Sequence, residues 1–210
     1  MKNRKKSAFL NNKGFTLVEM IVTFALLSIF IASAAVIIGT TTSMYYDIKG
    51  ENYSKQVTDI IMEKIESEID GAFYDSAKEA SNLRIQTVSR DDTEESLDAG
   101  KAVVLSDKNG AKIKMFAENG ELVVHYFDVG SLKATDWKFD KNVYKYFSIT
   151  DLYFVRGDKL DTFSNAADYG LTDYGTYGSD VIVVFLKMHH PVYGDYKAFR
   201  FVKMYNASGI

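Results

Sequence analysis

One uninterrupted apolar run limits this chain to few architectures. Residues 20–39 contain no charged side chain and lie close to the N-terminus. At about 1.5 Å per residue, a helix of this length matches a bilayer hydrocarbon core of about 30 Å. The run therefore predicts a single helix that is able to cross a membrane.

Charge is distributed unevenly around this run. Residues 1–14 contain no acid but five basic side chains: Lys2, Arg4, Lys5, Lys6 and Lys13. The whole chain has 25 basic and 28 acidic residues, so the remainder has 20 and 28 and a formal charge of −8. The basic flank predicts a cytoplasmic N-terminus, with everything after residue 40 outside the cytoplasm. The acidic remainder would repel phosphates and disfavours direct nucleic-acid binding.

Two ordinary interpretations compete for the N-terminal segment. A secretory signal peptide would use Ala32-Ser33-Ala34 as its cleavage site, but the apolar run continues beyond it to Ile38. A plain signal anchor explains the charge bias and the length of the run. Neither interpretation explains Glu19, a carboxylate directly before the apolar run.

Glu19 is therefore the most informative residue of this segment. A carboxylate costs about 2.5–3.5 kcal/mol at the centre of a membrane helix and less near its end. No Lys, Arg or His occurs between Lys13 and Lys49. A cut after Gly14 would give Phe15 an α-amino group that is at least partly positive near neutral pH. That amine would lie four residues before Glu19 and could pair with it in the same chain or in a neighbouring copy.

The segment Lys13-Gly14-Phe15-Thr16-Leu17-Val18-Glu19 resembles the class III signal of type IV prepilins and type II secretion pseudopilins. The resemblance covers residues 1 to about 42. It implies that a membrane-embedded prepilin peptidase cuts after Gly14 and N-methylates Phe15, and that Glu19, with Thr16, sets the register between subunits in a filament. Many Gram-negative major pilins have a proline in this helix, whereas the only proline here is Pro191.

The resemblance implies a structural subunit, and the chain's size favours a minor pilin or pseudopilin of a type IV pilus, a type II secretion system or a competence filament. Its implied partners are other pilins, the prepilin peptidase, an inner-membrane platform protein, an assembly ATPase and the membrane. The implied location is the cell membrane, with one span, and the assembled filament. The alternative is an unprocessed, membrane-tethered adhesion module. A secreted hydrolase has no catalytic motif to support it, and the chain has no cysteine.

The remaining sequence predicts an α+β fold of pilin type. The predicted regions are a cleaved leader at 1–14, a membrane helix at 15–42, an amphipathic extension at 43–80 and a β-rich domain at 81–210. Any kink should fall between Gly39 and Gly50, and the extended helix should end between 71 and 81. Its apolar stripe, with steps of mostly three and four, comprises Tyr53, Val57, Ile60, Ile61, Ile65, Ile69, Ala72 and Phe73.

Short apolar or alternating runs predict antiparallel strands. They are Leu83–Val88, Lys101–Ser106, Ala111–Ala117, Glu121–Phe127, Tyr144–Val155, Val181–Met188 and Lys197–Tyr205. Asn109-Gly110 and Asn119-Gly120 predict tight hairpin turns between three of them. The alternation places Phe199 and Phe201 on one face of the last strand.

Outside the N-terminal segment, the sequence offers little chemistry. His125 is predicted in mid-strand, and His189-His190-Pro191 at a strand end, where adjacent histidines point to opposite faces and make a poor metal site. Residues 156–180 are predicted to form a surface loop rich in Tyr, Gly and Asp. No cofactor is predicted, apart from a weak Ca²⁺ candidate formed by Asp168, Asp173 and Asp180. The tyrosines of this loop are alternatively candidates for lateral or adhesive contacts.

Overall fold

The computed structural model describes residues 14–74, 83–86, 99–106, 111–127, 134–204 and 206–207. The chain divides into two compact units, Met1–Asp47 and Ile48–Ile210. The predicted α+β fold is confirmed: one long N-terminal helix is followed by antiparallel sheets.

Helix α1 extends from Leu17 to Asp70. It remains helical between Gly39 and Gly50, where a kink would have been expected to fall. Gly50 is instead a packing position, because a Cβ atom there would lie 2.8 Å from Cγ of Tyr193. The helix ends at Asp70, before the predicted window of 71–81, and residues 75–82 lie outside the described part of the chain.

The described strands form three sheets. Strands β2, β4, β5, β6 and β7 form a five-stranded antiparallel sheet in that order; β10, β9, β8 and β3 form a four-stranded antiparallel sheet; β1 and β11 form a short parallel pair. The bounds are β1 Phe73–Tyr74, β2 Leu83–Gln86, β3 Ala99–Gly100, β4 Ala102–Ser106, β5 Lys112–Glu118, β6 Glu121–Phe127, β7 Ala134–Lys138, β8 Ser148–Arg156, β9 Val181–His190, β10 Gly194–Lys203 and β11 Asn206–Ala207.

Most predicted strands are confirmed with shifted ends. The stretch predicted from Tyr144 begins as a strand only at Ser148, because Lys141–Tyr144 forms a 3-10 turn. The β5–β6 hairpin turns at Asn119 and Gly120, whose φ values are 53° and 81°. Two-residue hairpin turns of type I′ need a positive φ at both of these positions, which Asn and Gly tolerate best. The Asn109-Gly110 turn lies outside the described residues, although β4 and β5 do pair antiparallel.

The part of α1 from Ile48 to Asp70 packs its apolar stripe on the sheets. Val57, Ile61, Ile65 and Ile69 are fully buried in the main core. The assignment of Ile60 to this stripe was wrong, since its side chain is 39% exposed. A buried methionine, Met62, joins the core instead.

Polar contacts fix the same helix segment to both large sheets. Arg200 on β10 donates to Asp59 at 3.2 Å and to Glu66 at 3.1 Å. Lys64 pairs with Glu68, and its Nζ lies 4.3 Å from the ring centroid of Trp137 on β7. These contacts set the position of the helix, whereas burial of the apolar stripe supplies most of the stabilisation.

Residues 156–180 form more than the surface loop that the sequence predicted. Two 3-10 helices, Gly157–Thr162 and Ala166–Tyr169, cover the face of the four-stranded sheet opposite the main core. Leu160 and Tyr169 of these helices, and Phe163 between them, are buried and pack with Phe185 of β9. Strand β9 is therefore buried on both faces, which explains its continuous apolar run. The prediction that Phe199 and Phe201 share a face is confirmed, since both pack against this second core.

The hydroxyl of Tyr144 accepts a hydrogen bond from the backbone N–H of Leu122 at 2.7 Å. Burial raises the pKa of Tyr144 to about 12, although this hydrogen bond opposes the shift. We expect Tyr144→Phe to lower the free energy of unfolding by about 1–3 kcal/mol, because it leaves a buried amide without a partner. Thermal unfolding measures the loss. Tyr174→Phe, which removes the hydroxyl of an exposed tyrosine, should have little effect; equal losses would contradict this role.

Candidate processing and assembly segment

Gly14, Phe15 and Thr16 precede α1 and are exposed and non-helical. A Cβ atom on Gly14 would meet no described atom within 4 Å, and its φ is not in the left-handed region. Neither packing nor backbone conformation among the described residues therefore demands glycine at position 14.

Glu19 has a partner that the sequence reasoning missed. The backbone N–H of Thr16 donates to Oε2 of Glu19 at 2.8 Å, and the Thr16 hydroxyl donates to the same oxygen at 2.9 Å. The N–H of Glu19 donates back to the Thr16 hydroxyl at 3.2 Å. This is a capping box, in which Thr16 is the N-cap of α1 and Glu19 the third helical residue. The T-x-x-E pattern before an apolar run was a readable signal for it.

The capping box corrects the expectation that Glu19 lacks a partner until the chain is cut. Thr16 supplies two donors in the uncut chain, which lowers the cost of placing a carboxylate beside an apolar run. Both hydrogen bonds end on Oε2. In the part of the chain that the structure describes, Oε1 has no hydrogen-bond partner. One oxygen of the carboxylate thus caps the N-terminus of the helix, and the other is available to a donor from another segment or another chain.

The other polar groups of the apolar helix are satisfied internally. Thr23, Ser28 and Ser33 each donate their hydroxyl to the carbonyl four residues earlier, at 2.6–2.9 Å. Thr40 and Thr41 do the same at 2.8 Å. Such bonds let hydroxyl side chains lie in an apolar environment without an unpaired donor.

In the described part of the chain, the apolar surface of residues 17–38 is left largely exposed. Phe15, Leu17 and Phe30 are 70–78% exposed, and the large apolar side chains up to Ile38 are all exposed. By length and composition α1 is able to cross a membrane, a test that a signal sequence near the N-terminus also passes. An exposed apolar surface of this extent requires lipid or other helices around it.

Residues 10–35 match the family model described as the prokaryotic N-terminal methylation motif. The match covers Gly14, Phe15, Thr16 and Glu19 and most of the apolar run. The N-terminal segment of this chain is therefore similar to that of type IV pilin-like proteins. The matched motif defines structural pilins and not an enzyme family, and a membrane-anchored, single-pass form fits the exposed apolar helix. No curated protein matches the chain.

The other residues singled out in the sequence do not assemble into one site. His125 lies within β6 and its Nδ1 faces Asp136 of β7, while His189 pairs with Asp195 across the β9–β10 hairpin at 2.7 Å. Asp180 is 3.3 Å from Lys203. Among the described residues, no group of three His, Asp or Glu side chains is arranged to hold a metal. Ca²⁺ binding by Asp168, Asp173 and Asp180 stays a prediction.

His190 is buried at the end of β9, and its Nδ1 accepts from the N–H groups of Val192 and Tyr193 at 3.0 and 3.2 Å. Burial lowers the pKa of His190 below its usual value of 6.5, although a hydrogen bond with the backbone of Lys145 opposes the shift. As the pH falls below about 6.5, the unfolded chain takes up the proton before the folded chain does. Stability should therefore fall with pH in this range and be insensitive to His190 above it.

The pH dependence of the melting temperature between pH 7.5 and 5.5 measures this effect. His190→Asn retains an acceptor but does not titrate, so its melting temperature should fall less over this range. His189→Asn changes the exposed neighbour and should leave the contribution of His190 in place. An equal pH dependence of the melting temperature in His190→Asn and the wild type would contradict this role of His190.

Proposed function

We propose that the chain is a subunit, of the minor class, of a type IV pilus or a related secretion or competence filament. It is made as a single-span membrane precursor with its C-terminal domain outside the cytoplasm. A prepilin peptidase removes residues 1–14 and methylates Phe15. The membrane helix then moves from lipid into the core of the filament, driven by a platform protein and an assembly ATPase.

The single observation that carries this proposal is that the two carboxylate oxygens of Glu19 differ in their hydrogen-bond partners. Oε2 is occupied by Thr16 in the uncut chain, and Oε1 has no partner among the described residues. Cleavage after Gly14 creates a cationic amine on Phe15, and an N-methylated amine retains its charge. In an apolar filament core, the favoured stagger is the one that brings the amine of one subunit to Oε1 of another, because an unpaired buried charge is penalised.

Small side chains on the membrane helix support close packing in such a core. Ala25, Ala32, Ala35 and Gly39 lie along it, and a Cβ atom at Gly39 would meet no described atom within 4 Å. Lipid tails are as apolar as the helix, so the hydrophobic effect does not drive helices together in a membrane. Small residues favour helix association there because they let the helix backbones approach closely. Contacts with other pilin subunits can therefore replace contacts with lipid at little cost.

Mass spectrometry of the protein, purified after co-expression with a prepilin peptidase, tests the processing step. We expect a chain that has lost 14 residues and carries one methyl group on Phe15. Gly14→Val should fold normally, since no described atom lies near the position, but should remain at full length. An intact wild-type chain, or one cut after Ala34, would support the membrane-tethered adhesion module or the signal peptide instead.

A further inference from the structure

The unit Ile48–Ile210, called the globular unit, contains a cleft of about 780 Å³. It is bordered by α1 near Tyr53, by the β5–β6 turn, by residues 141–148 and by the β9–β10 turn at Tyr193. We propose that this cleft binds an acidic saccharide, a sugar ring that carries a carboxylate or a comparable anionic group. This inference is independent of filament assembly.

Aromatic rings form one wall of the cleft. His190 and Tyr193 are stacked with ring centroids 4.4 Å apart, and Tyr53 meets Tyr193 edge to face at 6.3 Å. Phe147 packs against His190 at 4.7 Å. The close approach of Tyr193 to Gly50 fixes this wall against the helix. A rigid aromatic surface of this kind packs well against the apolar C–H face of a pyranose ring.

The charge of the cleft favours an anion. Its border contains Lys49, Lys141 and Lys145 against one acid, Glu121, a formal charge of +2 in a chain whose total is −3. Nζ of Lys145 lies 4.5 Å from the ring centroid of Tyr53, and Nζ of Lys49 lies 5.5 Å from the same centroid. The ammonium groups are thus held beside the aromatic wall, where one ligand can meet both.

The rim of the cleft has an unusual backbone. Lys145 and Tyr146 are consecutive non-glycine residues with φ of 48° and 70°. Lys145 is the left-handed C-cap of the 3-10 helix Lys141–Tyr144, and its N–H donates to the Asn142 carbonyl at 3.3 Å. Tyr146 follows in a region that a bulky side chain rarely adopts, and such conformations cluster at ligand sites. The result is that Tyr146 stands 87% exposed at the mouth of the cleft. Burial does not explain its position, but contact with a ligand would.

The polar groups of the cleft favour a saccharide over a nucleic acid. Asn119, Asn142, Ser148 and Glu121 line the cleft, and the Ser148 hydroxyl donates to the His189 carbonyl at 3.4 Å. Together they offer donors and acceptors for several sugar hydroxyls. A nucleic acid would bring phosphates close to Glu121 and to a chain that carries an excess of acids beyond its leader. The cleft therefore suits one or a few anionic sugar units better than a polyphosphate.

Calorimetric titration of the full chain in detergent micelles tests the proposal, with trigalacturonate as the probe. Trigalacturonate should bind at least about tenfold more tightly than the neutral sugar galactotriose, equivalent to about 1.4 kcal/mol. Lys141→Gln and Tyr146→Ala change exposed residues and should each weaken binding about fivefold or more without altering the melting temperature. Lys112→Gln, which removes an exposed lysine outside the cleft, is the matched control and should bind as the wild type does.

Three results would overturn the assignment. They are the absence of trigalacturonate binding, equal affinity for galactotriose, and equal weakening by Lys112→Gln and Lys141→Gln. Tighter binding of oligothymidylate than of trigalacturonate, lost in Tyr146→Ala, would assign the cleft to nucleic acid instead. None of these outcomes depends on cleavage after Gly14, so failure here leaves the filament proposal separately testable.

Discussion

Replacing Glu19 with alanine should leave the protein in the membrane but reduce its incorporation into filaments at least about tenfold. Insertion should persist because the substitution removes a charge from the edge of the apolar helix. Incorporation should fall because the cationic amine of Phe15 then enters an apolar core without a carboxylate, and breaking a buried charge pair costs about 3–5 kcal/mol. The ratio of the variant in sheared filaments to that in membranes measures the effect.

Glu19→Gln separates the two roles of the carboxylate. A glutamine at this position still accepts from Thr16, as capping boxes with Gln do, so the start of α1 is preserved. It lacks the charge needed to pair with an amine. We therefore expect Glu19→Gln to be excluded from filaments as strongly as Glu19→Ala. Normal incorporation of Glu19→Gln would mean that Glu19 only caps the helix.

Ile61→Ala should be among the most destabilising single changes in the globular unit. Ile61 is a residue of α1 and is fully buried in the core between this helix and the sheets. Removing a buried isoleucine side chain costs about 2–5 kcal/mol, which combines lost burial with the cavity that remains. Because a domain of this size has a stability of about 5–15 kcal/mol, a large fraction would be lost. Chemical denaturation followed by tryptophan fluorescence measures it, since Trp137 packs against the same core.

The neighbouring residue provides a matched control. Ile60 lies on the same helix and is 39% exposed, so Ile60→Ala makes the same chemical change outside the buried face of the helix. It should cost less than about 1 kcal/mol, close to the range of surface substitutions. Equal losses for the two variants would show that the helix does not bury the face described here.

Patterns that repeat along the chain predicted most of the fold. The uncharged run, the steps of three and four after Tyr53, and the Asn119-Gly120 turn each have one strong local interpretation, and the structure confirms them. Ile60 was misassigned because an isoleucine at the edge of a stripe satisfies the same periodicity as one at its centre. Burial then depends on the exact rotation of the helix against the sheets.

The sequence did not predict the elements whose apolar residues show no regular spacing. Residues 156–180 contain two short 3-10 helices, and the few apolar residues of this segment, such as Leu160 and Phe163, are too widely scattered to signal a second core. Strand β7 (Ala134–Lys138) is largely exposed and carries no apolar alternation. These elements are specified by the sheet face that they cover or extend, which becomes visible only once the tertiary structure is known.

The candidate segment was identified from residues that are adjacent in the sequence, and their roles in cleavage, methylation and registry stay predictions. Gly14, Phe15, Thr16 and Glu19 were all identified from the sequence, and the methylation motif spans them. The charge pattern does not reveal the capping role of Thr16, because its donors are a neutral hydroxyl and a backbone amide. The cleft beside Tyr193 was also missed, since its residues come from four separate stretches of the sequence.

The central claim is that Glu19 meets an amine that cleavage creates. A cryo-electron microscopy reconstruction of filaments containing this subunit tests it most directly. We expect the nitrogen of Phe15 within about 4 Å of a Glu19 carboxylate oxygen, in its own or a neighbouring subunit, with Thr16 still bonded to the other oxygen. A filament in which every Phe15 nitrogen lies clearly beyond this distance from Glu19, or in which residues 15–42 are absent from the core, would contradict the account.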